Sequence, residues 1–200
     1  MTESIRQSSS INHLSSHIGS EIVEQLAFTP THEITAVTPW SRGGNETYVT
    51  DFTINDGIND PLRMIAKACI KLSPSETMNE WNVRRSVLSR AGIQTPTVYA
   101  CSGPTIVEEF ILYTLEEAFQ RGDSIIRESL RSEYLDVCSK LALCGFNTSS
   151  LHDARSRGSD VVLIDMGSDL GPLTGTIRVL DALKIEASFR KLTGQRSARI

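Results

Sequence analysis

Leu62-Arg63-Met64-Ile65-Ala66-Lys67-Ala68-Cys69-Ile70-Lys71-Leu72 is the stretch on which the fold turns. Apart from its charged positions it is apolar enough for a strand buried on both faces. Burying an unpaired ammonium is costly, so Lys67, in the middle of that strand, needs a carboxylate. The polar run Ser73 to Glu76 opens a helix to about Arg90, and Glu80 inside it is the natural counter-ion, with Glu76 one turn earlier as the alternative. Lys71 shares Lys67's strand parity but lies at the strand's exit, where its ammonium reaches water, so Lys67 is preferred.

Working outward, Gly92 and the extended Thr95-Pro96-Thr97 stop the helix, and strands follow at Thr97 to Cys101 and Thr105 to Ile111. Upstream, Asp56 to Pro61 is a turn. Before it, Glu33 to Val37 and Thr47 to Ile54 alternate as a hairpin tipped by Ser41-Arg42-Gly43-Gly44-Asn45. A helical stripe of Ile11, Leu14, Ile18, Ile22 and Leu26, with Ser10 as N-cap, ends at Thr29-Pro30. The order strand, strand, strand, helix, strand, strand then gives way to helices. Thr114 and Glu117 form a capping box, Gly122-Asp123 punctuates, and a helix runs from about Ser124 to Gly145. A polar loop with His152-Asp153, a short strand from Asp160 to Ile164 and a last helix from about Thr176 to Leu192 complete the chain.

Two hundred residues with 40% hydrophobic content bury a real core, and a net charge of -4 with a pI near 5.6 gives no pull toward nucleic acid or an anionic membrane. The basic Arg190, Lys191, Arg196 and Arg199 read as solvated. No apolar run is long enough to span a membrane. Cys69, Cys101, Cys138 and Cys144 lack metal-site spacing and sit in apolar stretches, as buried thiols do in a reducing compartment. His13 and His17 stand at i, i+4 spacing without a further ligand and read as solvated, and Asn147 reads as a helix cap. The serine-rich residues 1–20 lack the apolar core of a Sec signal and read as a flexible secretion or translocation segment.

Phosphoryl transfer needs a loop over the phosphates, a cation on them, an anion holding that cation, metal carboxylates and a carboxylate to orient the attacking hydroxyl. The chain supplies a candidate for each in order. Gly43 and Gly44 let backbone N–H groups approach phosphates. Lys67 with Glu80 follows, then Asp153, then Asp165 at the exit of Val161-Val162-Leu163-Ile164, with Asp169 repeating the Asp-x-Gly form four residues later. Strand logic favours Asp165 for the metal; spacing from Asp153 favours Asp169.

Together with Thr105-Ile106-Val107-Glu108-Glu109-Phe110-Ile111 as a hinge, these motifs resemble the protein-kinase signature set over roughly residues 33–171. The resemblance implies an α+β, minimal bilobal kinase-like fold: a sheet-rich N-lobe over 21–111 and a reduced helical C-lobe over 112–200. It also implies ATP with its adenine on Glu109, Phe110 and Ile111, and Mg2+ on Asp165 and Asp169. The pattern departs from the family where a catalytic-loop asparagine should stand and the chain has Gly158, and Asp165 follows Asp153 too soon for a full catalytic loop.

A minimal kinase with a serine-rich N-terminus resembles the HopBF family of bacterial type III effector kinases. That resemblance implies a monomer secreted into the host cell cytoplasm, where it phosphorylates serine or threonine on a host protein, the ninety-kilodalton heat-shock chaperone, and suppresses immunity. Two other expectations stand beside it. One is a small-molecule phosphotransferase of the aminoglycoside or choline type, which shares the layout of Gly92-Ile93-Gln94-Thr95-Pro96; the other is a non-catalytic pseudokinase.

Overall fold

A computed structural model describes residues 11–28, 32–35, 37–42, 47–55, 57–69, 74–146, 154–164 and 182–195, with the backbone alone over 74–80 and at 182. The expected α+β class is observed, organised as two compact units. The first comprises Met1–Glu80 and Thr97–Phe110; the second comprises Trp81–Pro96 and Ile111–Ile200.

In the first unit the stripe predicted as one helix is two: α1 (residues 11–18) and α2 (Ser20–Gln25), separated by Gly19 at φ 98°. A left-handed residue cannot continue a helix, and glycine adopts that conformation without a Cβ penalty. Leu14, Ile18, Ile22 and Val23 are nevertheless all buried, so the expected boundary at residue 20 falls inside a packed helical pair.

Both helices lie on one face of a six-stranded antiparallel sheet made of β1 (Glu33–Thr35), β2 (Ser41–Arg42), β3 (Thr47–Asn55), β4 (Leu62–Cys69), β5 (Val98–Ser102) and β6 (Thr105–Glu109). The path runs β1-β3-β4-β6-β5, and β2 also pairs with β3. The first strand of the expected hairpin is thus β1 alone, and Ser41 and Arg42, expected in the hairpin tip, form β2. Between them Thr38 folds against Asp51: its Oγ1 donates to Asp51 Oδ1 at 2.8 Å and accepts from the Asp51 N–H at 2.9 Å. Phe52, Ile54, Met64, Ala66, Ala100 and Val107 meet the helices as the unit's core. His17, expected to be solvated, is half-buried, stacked on Trp40 at 6.0 Å between ring centroids and 3.2 Å from the Thr38 carbonyl.

α3 (Pro74–Arg90) contributes residues to both units. In the second unit follow β7 (Tyr113–Thr114), α4 (Leu115–Arg121), α5 (Ser124–Leu143), β8 (Ala154–Arg157), β9 (Asp160–Leu163) and α6 (Ala182–Leu192). The capping box predicted at Thr114 and Glu117 is present, and Asp123 caps α5 by accepting from the N–H groups of Ile125 and Ile126. The polar stretch Ala154-Arg155-Ser156-Arg157, expected as loop, is a strand at the centre of a three-stranded sheet ordered β7-β8-β9. Its Ala154 and Ser156 face inward, and arginines at the alternate positions disguise the period-2 pattern. The second core gathers Leu88, Ile93, Leu115, Leu130, Tyr134, Val137, Leu141, Phe146, Val161, Leu163, Ile185 and Phe189. Of the expected last helix, only 182–192 falls within the described residues.

All four cysteines are free, as expected. Burial pushes the Cys138 thiol from 9.0 up to about 12, and burial likewise raises the phenol of Tyr134, whose oxygen meets Ser188 Oγ at 2.9 Å. Both groups keep their protons in the folded chain at pH values where the unfolded chain has lost them. Stability is therefore fully present below the unfolded value, near pH 9 for the thiol, and falls as pH rises toward the folded one. The expected slope is roughly 1.4 kcal/mol per pH unit per group. Urea unfolding at pH 8, 9 and 10 reads it, and Cys138→Ala should flatten the decline.

Candidate active site

Lys67 sits where the sequence places it, in the middle of β4, on the face opposite the one covered by α1 and α2. Strand parity puts Ile65 beside it, and the register Lys67↔Ile106 and Ile65↔Glu108 brings Ile106 and Glu108 of β6 to the same face. Lys67 Nζ lies 2.5 Å from Glu108 Oε1, with the two side chains 13% and 1% exposed. Glu108 is thus a carboxylate partner that sequence reasoning missed. The clue was a charged residue inside an apolar strand, but only the β4–β6 register identifies its lysine. The side chain of Glu80, the expected partner, lies outside the described residues.

The expected base-binding segment begins at Glu109, the last residue of β6, directly after Glu108. The Glu109 N–H donates to the Thr97 carbonyl at 2.9 Å, and the Phe110 N–H donates to the Arg63 carbonyl at 3.1 Å. Arg63 in turn lays its guanidinium 3.8 Å from the centroid of the Phe110 ring and donates through Nε to Asp51 Oδ2 at 2.7 Å. An apolar pocket of about 410 Å³ between Leu26, Phe28, Met64 and Tyr99 lies on the helix-covered side of the sheet, away from the Lys67 face.

In the second unit, Arg155 Nη1 donates to the carbonyls of Ile111 and Leu112 at 3.1 and 3.3 Å. Sequence reasoning also missed this contact, which ties the end of the expected base segment to the strand that begins one residue after Asp153. Ala154 pairs with Leu163 at the open end of the β8–β9 hairpin. Gly158, at the position of the expected catalytic-loop asparagine, is at φ 67° in the tight turn of this hairpin. It has no side chain with which to ligate a metal.

Gly43, Gly44, Asn147, His152, Asp153, Asp165 and Asp169 lie outside the described residues. Among the described residues there is no group of histidine, cysteine or carboxylate side chains that could hold a metal ion. No described helix is long and apolar enough to cross a membrane.

No family model matches the chain, and no curated protein sequence matches it. Among the solved structures to which it is similar are the following. One is the streptomycin–ATP–APH(2")-IIa ternary complex, at 15% identity and a TM-score of 0.36 over 66% of this chain. This chain spans 38% of that protein's length. The other is a protein described as a fructosamine-3-kinase from Thermobifida fusca, at 12% identity and a TM-score of 0.41, covering 90% of this chain and 86% of that one.

Proposed function

We propose that this chain is an ATP-dependent phosphotransferase that phosphorylates protein hydroxyls. The observation that carries the reading is Lys67, a nearly buried lysine in mid-sheet whose charge is balanced by Glu108, at the place in the strand and helix order where a kinase holds its phosphate-binding lysine. A buried ion pair is poor evidence of stabilisation, since apolar residues of similar volume often do as well, so a role in binding better explains its presence.

In this reading Lys67 contacts the phosphates under backbone N–H groups of Gly43 and Gly44, with Glu80 as a further carboxylate near it. Glu109, Phe110 and Ile111 meet adenine through their backbone. ATP supplies the phosphoryl group to be transferred. Asp165 and Asp169 hold Mg2+, and Asp153 orients the attacking hydroxyl and takes up its proton. The resemblance to HopBF effectors supports a protein acceptor, with the ninety-kilodalton heat-shock chaperone of a host cell as the candidate and delivery by a type III system as the route.

A second reading, a small-molecule phosphotransferase, is favoured by one feature of the second unit. Gln94 of the Gly92–Pro96 segment bridges in parallel to Val162, and the Leu163 N–H donates to its carbonyl at 2.9 Å. The strand leading to Asp165 is thereby built onto the segment shared with the aminoglycoside and choline enzymes.

Incubating the protein with labelled ATP and magnesium in a eukaryotic lysate, beside an Asp153→Ala/Asp165→Ala variant, tests both. The expected result is label on one dominant protein band near ninety kilodaltons that the variant does not produce. Label reaching aminoglycosides or choline but no protein selects the second reading. Nucleotide-dependent thermal stabilisation without any transfer overturns both in favour of a pseudokinase.

A further inference from the structure

We propose that Glu108 is the positioning residue for Lys67, so that the phosphate-binding ammonium is set from within the sheet and not by helix α3 alone; the proposal rests on the phosphotransfer reading above. The backbone around Glu108 is fixed. Its neighbours Ile106 and Val107 are fully buried, and the next two N–H groups in the chain are bonded to Thr97 and to Arg63. Its own backbone is held in register opposite Ile65.

Its carboxylate, 1% exposed, therefore has little freedom to move, and it lies 2.5 Å from the ammonium. The ion pair fixes where the ammonium sits on its face of the sheet. Oxygens of a triphosphate approaching the Lys67 face would meet a charge already in place, and such placement is what this kind of catalysis chiefly supplies.

Sheet and helix differ as sources of such control. Lys67 and Glu108 belong to strands joined by ladder hydrogen bonds within one unit, whereas α3, which carries Glu80, divides its residues between the two units. A lysine paired with its neighbouring strand has a hold on its place that does not come from α3. The enzyme would then be organised for transfer without an activating rearrangement of that helix.

The experiment compares wild type with Glu108→Gln, Glu80→Gln, Lys67→Met and Lys67→Met/Glu108→Gln, measuring kcat, KM for ATP and melting temperature. The expected result is that Glu108→Gln lowers kcat at least about tenfold, with KM changed by less than about threefold, the signature of lost orientation. It should cost more than Glu80→Gln and add nothing to the loss already caused by Lys67→Met.

The melting temperatures report the pairing independently of any activity: the double variant should melt higher than either single one. A Glu108→Gln enzyme retaining half the wild-type kcat, a larger effect of Glu80→Gln, or additive destabilisation by the two single changes would overturn the proposal. If wild type transfers no phosphate to any acceptor while the melting temperatures couple as expected, the phosphotransfer reading has failed and the pairing has not.

Discussion

Lys67→Met is expected to reduce phosphotransfer by about 10²–10³-fold, the scale set by removing one preorganised electrostatic contact to a developing charge. It is also expected to destabilise the protein. Methionine replaces the lysine stem through Cε and lacks only a counterpart of Nζ, so little cavity opens. The cost comes from Glu108, whose carboxylate stays 1% exposed after its lysine is gone. Breaking one side of a buried pair typically costs about 3–5 kcal/mol, whereas neutralising both sides is often close to neutral. Lys67→Met/Glu108→Gln should therefore recover most of the lost stability while remaining as inactive as the single variant.

Urea unfolding and labelled-ATP transfer on the same preparations read both halves. Recovery of stability without recovery of rate separates the chemical role of Lys67 from its place in the core. Unchanged activity in a folded Lys67→Met protein would remove Lys67 from the site.

Lys67 was legible in the sequence because one charged residue in an apolar strand breaks a strong pattern. The strands around it, α3, the capping box at Thr114 and the long α5 were legible for the same reason: each is governed by residues adjacent in the chain. Glu108 was not, because it reaches Lys67 only through a β4–β6 register involving residues about forty apart in sequence, which no local period encodes. The Arg155 contact with Ile111 and Leu112 was hidden for a like reason. β8 was missed because two arginines occupy its outward positions, and the break at Gly19 because the apolar stripe continues across it on the same face. Gly43, Gly44, Asp153, Asp165 and Asp169 lie outside the described residues and rest on the sequence pattern alone.

Phe189→Ala should have the largest effect on stability of any change away from that site, about 3–5 kcal/mol, the usual cost of truncating a buried phenylalanine. α6 is held to the second unit by Ile185, Phe189 and Leu192, one stripe at i, i+4 and i+7. Phe189, 1% exposed, is the largest of them. Its ring meets Phe119 of α4 edge-on at 5.8 Å and Tyr134 of α5 at 5.2 Å between centroids, so one side chain joins three helices.

Polar contacts along α6 cannot replace it. Glu186 bridges Arg131 at 3.1 Å and Arg190 at 3.2 Å, but both arginine side chains are more than 40% exposed, and pairs of that kind contribute about 1 kcal/mol or less. Glu186→Gln should accordingly shift the melting temperature by no more than a few degrees, while Phe189→Ala lowers it by about 10 °C or more. The removed ring also takes an aromatic neighbour from Tyr134 while the phenol keeps its bond to Ser188. Tyr134 is thus the residue whose fluorescence should change first. A Phe189→Ala protein that unfolds at the wild-type urea concentration would show that α6 is docked by its charges, contrary to the packing described.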